Sequence, residues 1–107
     1  MERDSQKTRT NPQMLFDSAS EIIFQRGADY GHYKDNLARI AMGISAYLGV
    51  HVSSDQVAGI MVITKIMRSV ESPRKLDHYI DAIAYLGMIP DLIQSNECDH
   101  EDEDGNL

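Results

Sequence analysis

The sequence predicts an all-α fold, a four-helix antiparallel bundle. Apolar residues recur at helical spacing in four segments, and capping residues, glycines or prolines bound each segment. No segment of useful length alternates apolar and polar residues as a half-buried strand does. Loops of about four to eight residues between the segments favour antiparallel neighbours. We expect the bundle to span residues 11–95, between a flexible arm at residues 1–10 and an acidic, disordered tail at residues 96–107.

The first two helices are predicted on either side of a glycine-containing linker. Asn11 is an expected N-cap, Pro12 follows it at the first helical position, and Gly27 ends the first helix. Residues 27–32 form the linker, because its two glycines take positive φ at little cost. The second helix has the clearest amphipathic pattern, with apolar residues at Leu37, Ile40, Ala41, Ile44 and Leu48. Gly49 is its predicted C-terminal stop.

The third and fourth helices are bounded by serine and proline. Ser53 and Gln56 have the spacing of a capping box, so a helix is predicted to begin there. Residues 57–70 are apolar nearly all round, and such a helix is central or lies in a subunit interface. The fourth helix is predicted to begin with Ser72 and Pro73. Pro90 is expected to kink or end it, with at most one further turn after it.

The net charge of −7 is concentrated in the tail. Six of the 17 acidic residues lie in the last eleven positions, so the remaining chain carries 11 acids against 10 bases. This nearly neutral body lacks the basic surface that duplex nucleic acid requires. A single cysteine and the lack of an apolar leader or membrane span predict a cytoplasmic protein. A domain this small is also expected to form a homo-oligomer.

Two cations on the apolar third helix are the first candidate site. Lys65 and Arg68 share one helix face, and the fourth helix offers Asp77 and Asp81 with Tyr85 one turn further on. A cation that is buried without an anion is costly, so acidic groups are expected to approach this face. One interpretation is a set of ion pairs between the two helices. The other is a pocket in which the cations bind phosphate and the two aspartates bind a metal or act as a base.

The loop between the first two helices is the second candidate. Tyr30, His32 and Asn36 place an aromatic ring, an imidazole and an amide just before a helix start, where backbone N–H groups favour anions. The alternative is an ordinary turn in which Asp35 or Asn36 caps the second helix.

Several of these residues together resemble a family of small phage and prophage proteins of unknown function. The similarity covers residues 15–88 and is carried by the Arg-Gly-Ala-Asp-Tyr-Gly run at residues 26–31 and by Asn36, Arg39-Ile40-Ala41, Ala46-Tyr47-Leu48, Asp55, Met61, Lys65-Ile66, Arg68, Asp77, Asp81 and Tyr85.

The pattern also resembles, more distantly, the all-α nucleotide pyrophosphohydrolases of the MazG type. That resemblance implies a nucleotide-related role, with Lys65 and Arg68 near phosphate and Asp77 and Asp81 near Mg²⁺. The glutamate cluster of those enzymes is missing, since residues 37–48 contain no acid. The sequence therefore favours a phage accessory protein that binds a nucleotide-like or phosphorylated ligand without efficient catalysis. The alternatives are a Mg²⁺-dependent pyrophosphohydrolase and an interaction module that inhibits a host protein.

Overall fold

The computed structural model describes residues 11–30 and 32–105, with side chains at residues 11–25 and 32–97. Helix α1 spans Pro12–Tyr30, α2 spans Tyr33–Leu48, α3 spans Ser54–Glu71 and α4 spans Leu76–Gly105. The described residues include no strand, so the predicted all-α, four-helix fold is confirmed. The predicted arm at residues 1–10 lies outside the described residues.

Three of the predicted helix boundaries are confirmed by their hydrogen bonds. Asn11 caps α1, because its Oδ1 accepts from the backbone N–H of Met14 at 2.9 Å. Gly49 ends α2 with a φ of 74°, and its N–H donates to the Ser45 carbonyl. At the start of α3, the Ser53 N–H donates to Oε1 of Gln56 at 3.0 Å, as a capping box requires.

Three other boundaries differ from the prediction. Helix α1 continues through Gly27 to Tyr30, because a single glycine weakens a helix without breaking it. The N-cap of α2 is His32, not Asp35 or Asn36, and its Nδ1 accepts from the Lys34 N–H at 3.1 Å. Ser72 closes α3 instead of opening α4, since its N–H donates to the Arg68 carbonyl.

Helix α4 is also longer than predicted. Pro90 lies inside it, and the backbone stays helical to Gly105, through most of the segment predicted to be disordered. The interior proline removes one helical hydrogen bond and costs on the order of 3 kcal/mol. Met88 and Leu92 lie on either side of it and are almost fully buried, so packing of this stretch outweighs that cost. The acidic side chains from residue 98 onward lie outside the described side chains.

The core lies where α2, α3 and α4 meet. Its buried members are Leu37, Ala41, Val57, Ala58, Met88 and Leu92. Ile23 from α1 and Tyr85 from α4 pack against this cluster while remaining partly exposed. Helix α4 packs most extensively against α3 and then against α1, so it is the central element of the bundle. None of the described helices is long and apolar enough to cross a membrane.

The bundle leaves many large apolar side chains in contact with solvent. Helix α3 illustrates this best, because it buries Val57 and Ala58 on one side and exposes apolar residues on the other. Those exposed residues are Ile60, Ile63, Ile66, Met67 and Val70. The prediction of an apolar helix is therefore confirmed, but the described part of the chain covers only one of its faces.

Candidate functional site

The predicted ion pair between the third and fourth helices is present. Nζ of Lys65 in α3 lies 3.1 Å from Oδ2 of Asp81 in α4, and the two side chains are only 14% and 17% exposed. The pair is therefore largely withdrawn from water, and each charge helps to compensate the other. This geometry confirms the interpretation as an ion pair between helices for these two residues, and it fixes the position of the Lys65 ammonium group.

The other two charged residues of this site are arranged differently. Arg68 lies one turn beyond Lys65 in the last turn of α3, and Asp77 lies in the first turn of α4. Both side chains are exposed, and no ion pair joins them to each other or to another described side chain. The guanidinium of Arg68 is consequently open to an anion from solution.

The proposed metal ligands find no third partner among the described side chains. Within that part of the chain, no group of three or more His, Cys, Asp and Glu side chains could share a metal ion. The residues present fit Mg²⁺ poorly, because Asp81 faces the Lys65 ammonium and Mg²⁺ prefers several oxygens in an octahedral array. The assignment of Asp77 and Asp81 to Mg²⁺ stays a prediction from the sequence.

The loop residues contribute mainly to the start of α2. The His32 ring caps that helix and stacks on the ring of Tyr33 with 4.5 Å between the centroids. Asn36 is half-buried one turn later. The side chain of Tyr30 lies outside the described residues. Tyr85 lies one turn beyond Asp81 in α4, half-buried against the core.

A polar network that the sequence did not predict joins α2 to α4. The Tyr33 hydroxyl donates to Oδ2 of Asp91, and Nζ of Lys34 lies 3.3 Å from Oδ1 of the same carboxylate. Burial, the hydrogen bond to Asp91 and the charge of Asp91 together raise the pKa of Tyr33 to about 12. The Tyr33 hydrogen bond and the charges of Lys34 and His32 hold the pKa of Asp91 below its ordinary value. Fifty-eight residues separate Tyr33 from Asp91, so no local pattern indicates this contact.

The two polar clusters are separated along α4. Asp81 and Asp91 are ten residues apart, which corresponds to about 15 Å of helix. His32 contributes to the field at Asp91, whereas Lys65 contacts Asp81. The two sequence-predicted candidates therefore belong to different regions of the bundle, as far as the described side chains show.

Two adjoining clefts lie near the second cluster. One, of about 610 Å³, is mostly apolar and is lined by Ala41, Met42, His51 and Val52, among others. The other, of about 500 Å³, is lined by Lys34, Asp91 and Gln94, among others. Both clefts include Ala38, Ser54 and Asn96, and Asn96 donates to Ser54 and Asp55. None of the predicted site residues whose side chains are described lines either cleft.

The fold and the paired charges define an all-α helical bundle with an ion pair enclosed between two helices. Comparison with models of protein families identifies the family of the chain. It belongs to the family described as a domain of unknown function, DUF6378, whose model matches residues 14–93. That segment includes both charged clusters and the whole buried core.

The relatives found among curated proteins are phage proteins. The chain is 38% identical over 77 residues to the Gene 55 protein of Mycobacterium phage L5 and 30% identical over 76 residues to the Gene 55 protein of Mycobacterium phage D29. Each match covers 70% of this chain, and the chain spans about half the length of these relatives, 49% and 50%. No solved structure matches. The resemblance to small phage proteins is confirmed, and the more distant resemblance to MazG-type enzymes stays a prediction.

Proposed function

We propose that this chain is a phage accessory protein that binds a nucleotide-like or otherwise phosphorylated ligand beside the Lys65–Asp81 ion pair. The observation that carries the proposal is that pair itself, whose two side chains are largely withdrawn from solvent between α3 and α4. A lysine ammonium has three N–H donors, and Asp81 accounts for one direction of approach. The pairing orients the remaining donors and keeps the positive charge in a fixed place.

Arg68 supplies the second part of the proposed site. It is exposed one turn from Lys65, and its fork of N–H donors matches two oxygens of a phosphate group. A phosphate that contacts both residues gains charge-assisted hydrogen bonds at a partly desolvated position. Asp77 lies in the first turn of α4 and Tyr85 packs against the core one turn beyond Asp81, so both adjoin the proposed site.

Titration calorimetry on the full chain tests the proposal with a panel of nucleotides and cyclic oligonucleotides. Arg68→Gln is expected to weaken binding by about tenfold or more, because it removes a charge-assisted contact of roughly 1.5 to 3 kcal/mol. Arg39→Gln is the matched control, since Arg39 is an exposed arginine on α2. We expect this control to bind as the unmodified chain does.

Two results would contradict the proposal. One is the absence of binding heat with every compound, measured on protein whose circular dichroism shows the folded helices. The other is an equal loss of binding in Arg68→Gln and Arg39→Gln, which would indicate attraction by net charge without a specific site.

The same samples test the two other functions that the sequence leaves open. Release of pyrophosphate from a nucleoside triphosphate in the presence of Mg²⁺ would favour a pyrophosphohydrolase, and loss of that release in Asp81→Asn would tie it to this site. A host protein that binds the folded chain while no nucleotide does would favour an interaction module. The proposal of ligand binding rests on the enclosed Lys65 ammonium group. Neither alternative function depends on that cation to the same extent.

A further inference from the structure

The outer face of α3 has the spacing of a helix-pairing surface. Ile60, Ile63, Met67 and Val70 follow one another at intervals of three, four and three residues, and we name these four residues the α3 seam. Their exposed fractions are 44%, 63%, 60% and 68%, so no described part of the chain covers them. Alternating intervals of three and four are the pattern by which one helix packs lengthwise against another.

The α3 seam faces away from the candidate ligand site. At about 100° per residue, Ile63 and Met67 project from the side of α3 roughly opposite Lys65 and Ala58. Ala58 is fully buried, and Lys65 contacts α4. The seam is therefore not an uncovered extension of the contact between α3 and α4. It is a second, separate apolar face on the same helix.

We propose that the α3 seam is a homodimer interface, in which the α3 helices of two copies pack antiparallel about a two-fold axis near Ile63 and Met67. In this arrangement Ile63 of each copy meets Met67 of the other. The two outer seam positions, Ile60 and Val70, meet in the same reciprocal way. A two-fold axis uses one self-complementary surface on both copies, which is the commonest form of closed assembly.

The residues beside the seam support a second copy as the occupant. Gly59, Thr64 and Ile66 flank the central part of the seam and carry no charge. A side chain added at Gly59 would meet nothing within 4 Å in the single chain, which leaves room for a partner helix. Outside its acidic tail the chain is also nearly neutral, with 11 acids and 10 bases.

Glu71 favours the antiparallel orientation. It lies at the C-terminal end of α3, beside Val70. Parallel pairing would bring two Glu71 carboxylates and two negative helix ends together, which is unfavourable. Antiparallel pairing instead places each Glu71 near Gly59 of the other copy, toward the positive end of that helix. The dipoles of the two α3 helices then also point in opposite directions.

The exposed apolar area of the seam is about two thirds of the apolar area that a standard homodimer interface buries. With about 32 Å² for each exposed methylene-sized group, the seam and Ile66 offer on the order of 350 Å² per copy. A standard interface buries roughly 800 Å² per partner, of which about two thirds is apolar in homodimers. The seam therefore supplies most of the apolar centre, and the flanking side chains supply the rim.

Sedimentation equilibrium of the full chain tests the dimer. The unmodified protein is expected at twice its chain mass of 12.0 kDa. Ile63→Glu is expected to weaken dimerisation by on the order of 100-fold, since it buries two carboxylates without partners near the axis. Met67→Glu repeats the change at the neighbouring seam position. Phe24→Glu is the matched control, because Phe24 is an apolar side chain of α1 that is 80% exposed, and it is expected to leave the dimer intact.

Disulfide trapping tests the orientation in chains that also carry Cys98→Ser. An equimolar mixture of Ile60→Cys and Val70→Cys chains is expected to form mainly the mixed disulfide under mild oxidation. Preferential formation of the two homodisulfides would establish parallel pairing and overturn the proposed geometry.

The dimer itself is overturned if the unmodified chain sediments as a monomer throughout the concentration series. It is also overturned if folded Ile63→Glu and Met67→Glu chains dimerise as tightly as the Phe24→Glu chain. A monomer that binds a different protein through the seam would count against a second copy as the occupant. None of these outcomes bears on binding at Lys65 and Arg68, because that site lies on the other side of α3.

Discussion

Among the described side chains, two lysine–aspartate ion pairs connect α4 to the rest of the bundle, and they differ in their surroundings more than in their geometry. Lys65 and Asp81 lie 3.1 Å apart with exposed fractions of 14% and 17%. Lys34 and Asp91 lie 3.3 Å apart with exposed fractions of 36% and 45%. The atoms that join each pair are thus at nearly the same distance, while access of water is more than twofold greater at the second pair.

This difference determines what each pair contributes. An exposed pair gains little, because water and salt compensate both charges nearly as well as the partner does. A withdrawn pair contributes modestly compared with an apolar pair of the same shape, but removal of one partner leaves a charge that water reaches poorly. Lys65–Asp81 is therefore expected to stabilise the fold and to hold a charge in a fixed position. Lys34–Asp91 is expected to affect only the local structure at the start of α2.

The largest expected effect comes from neutralising one acid of each pair in turn. Asp81→Asn is expected to lower the free energy of unfolding by about 2 to 3 kcal/mol, somewhat below the range for fully buried pairs because some water reaches this one. Asp91→Asn is expected to lower it by less than about 1 kcal/mol. Urea unfolding at neutral pH measures both, with all samples at one protein concentration because assembly shifts apparent stability.

Asp77→Asn is the control for this comparison. Asp77 is an exposed acid in the first turn of α4 with no ion pair among the described side chains, so a change within about 0.5 kcal/mol is expected. Equal losses in Asp81→Asn and Asp91→Asn would show that burial does not separate the two pairs.

The sequence predicted the withdrawn pair and missed the exposed one for a physical reason. Lys65 and Arg68 interrupt an apolar helix, and an unpaired cation in such surroundings is costly, so acids on the next helix were expected. The prediction was correct for Asp81. Lys34 and Asp91 lie at surface positions where a charge needs no partner, so their types and spacing carry no comparable signal.

The helices were predictable to the extent that local interactions set their ends. Asn11, Gly49 and Ser53 act through neighbouring backbone groups, and these boundaries were correct. Ser72 was expected to open α4, but its backbone N–H closes α3 through a local bond to the Arg68 carbonyl. The single further turn expected after Pro90 was wrong, because tertiary packing decides there. The burial of Met88 and Leu92 outweighs the local preference of proline, and sequence periodicity does not measure that burial.

The next effect concerns Tyr33, which distinguishes the exposed cluster from an ordinary surface ion pair. Its pKa is raised to about 12 from an ordinary 10.0, so the folded state holds the phenol proton more tightly than the unfolded state. The corresponding stability is fully present below pH 10.0 and is lost as the pH rises towards 12. On the acid side, the lowered pKa of Asp91 gives a contribution that is present above its ordinary 3.8 and is lost as the pH falls through the folded value.

Urea midpoints measured across the alkaline range test this expectation. Tyr33→Phe is expected to remove the part of the decline that belongs to this phenol, while Tyr47→Phe, at a tyrosine that is 88% exposed, is expected to leave the decline unchanged. Spectrophotometric titration of the folded protein should likewise lose its latest-titrating tyrosine in Tyr33→Phe alone. An unaltered titration curve in that variant would assign the late phenol to another residue.

The smallest expected effect is the response of the two ion pairs to salt. This response distinguishes the two pairs with substitutions that change side-chain volume little. Double-mutant cycles with Lys34→Met and Asp91→Asn, and with Lys65→Met and Asp81→Asn, give one coupling energy for each pair. Raising the ionic strength from 0.1 M to 1 M shortens the Debye length from about 10 Å to about 3 Å.

The coupling of Lys34 with Asp91 is expected to fall by a few tenths of a kcal/mol, because mobile ions reach both groups. The coupling of Lys65 with Asp81 is expected to change less, since ions enter that contact as poorly as water does. Equal salt sensitivity would mean that α3 and α4 separate often enough in solution to hydrate Lys65. The Lys65 ammonium group would then not be held in a fixed position, and the proposed phosphate site would lose its basis.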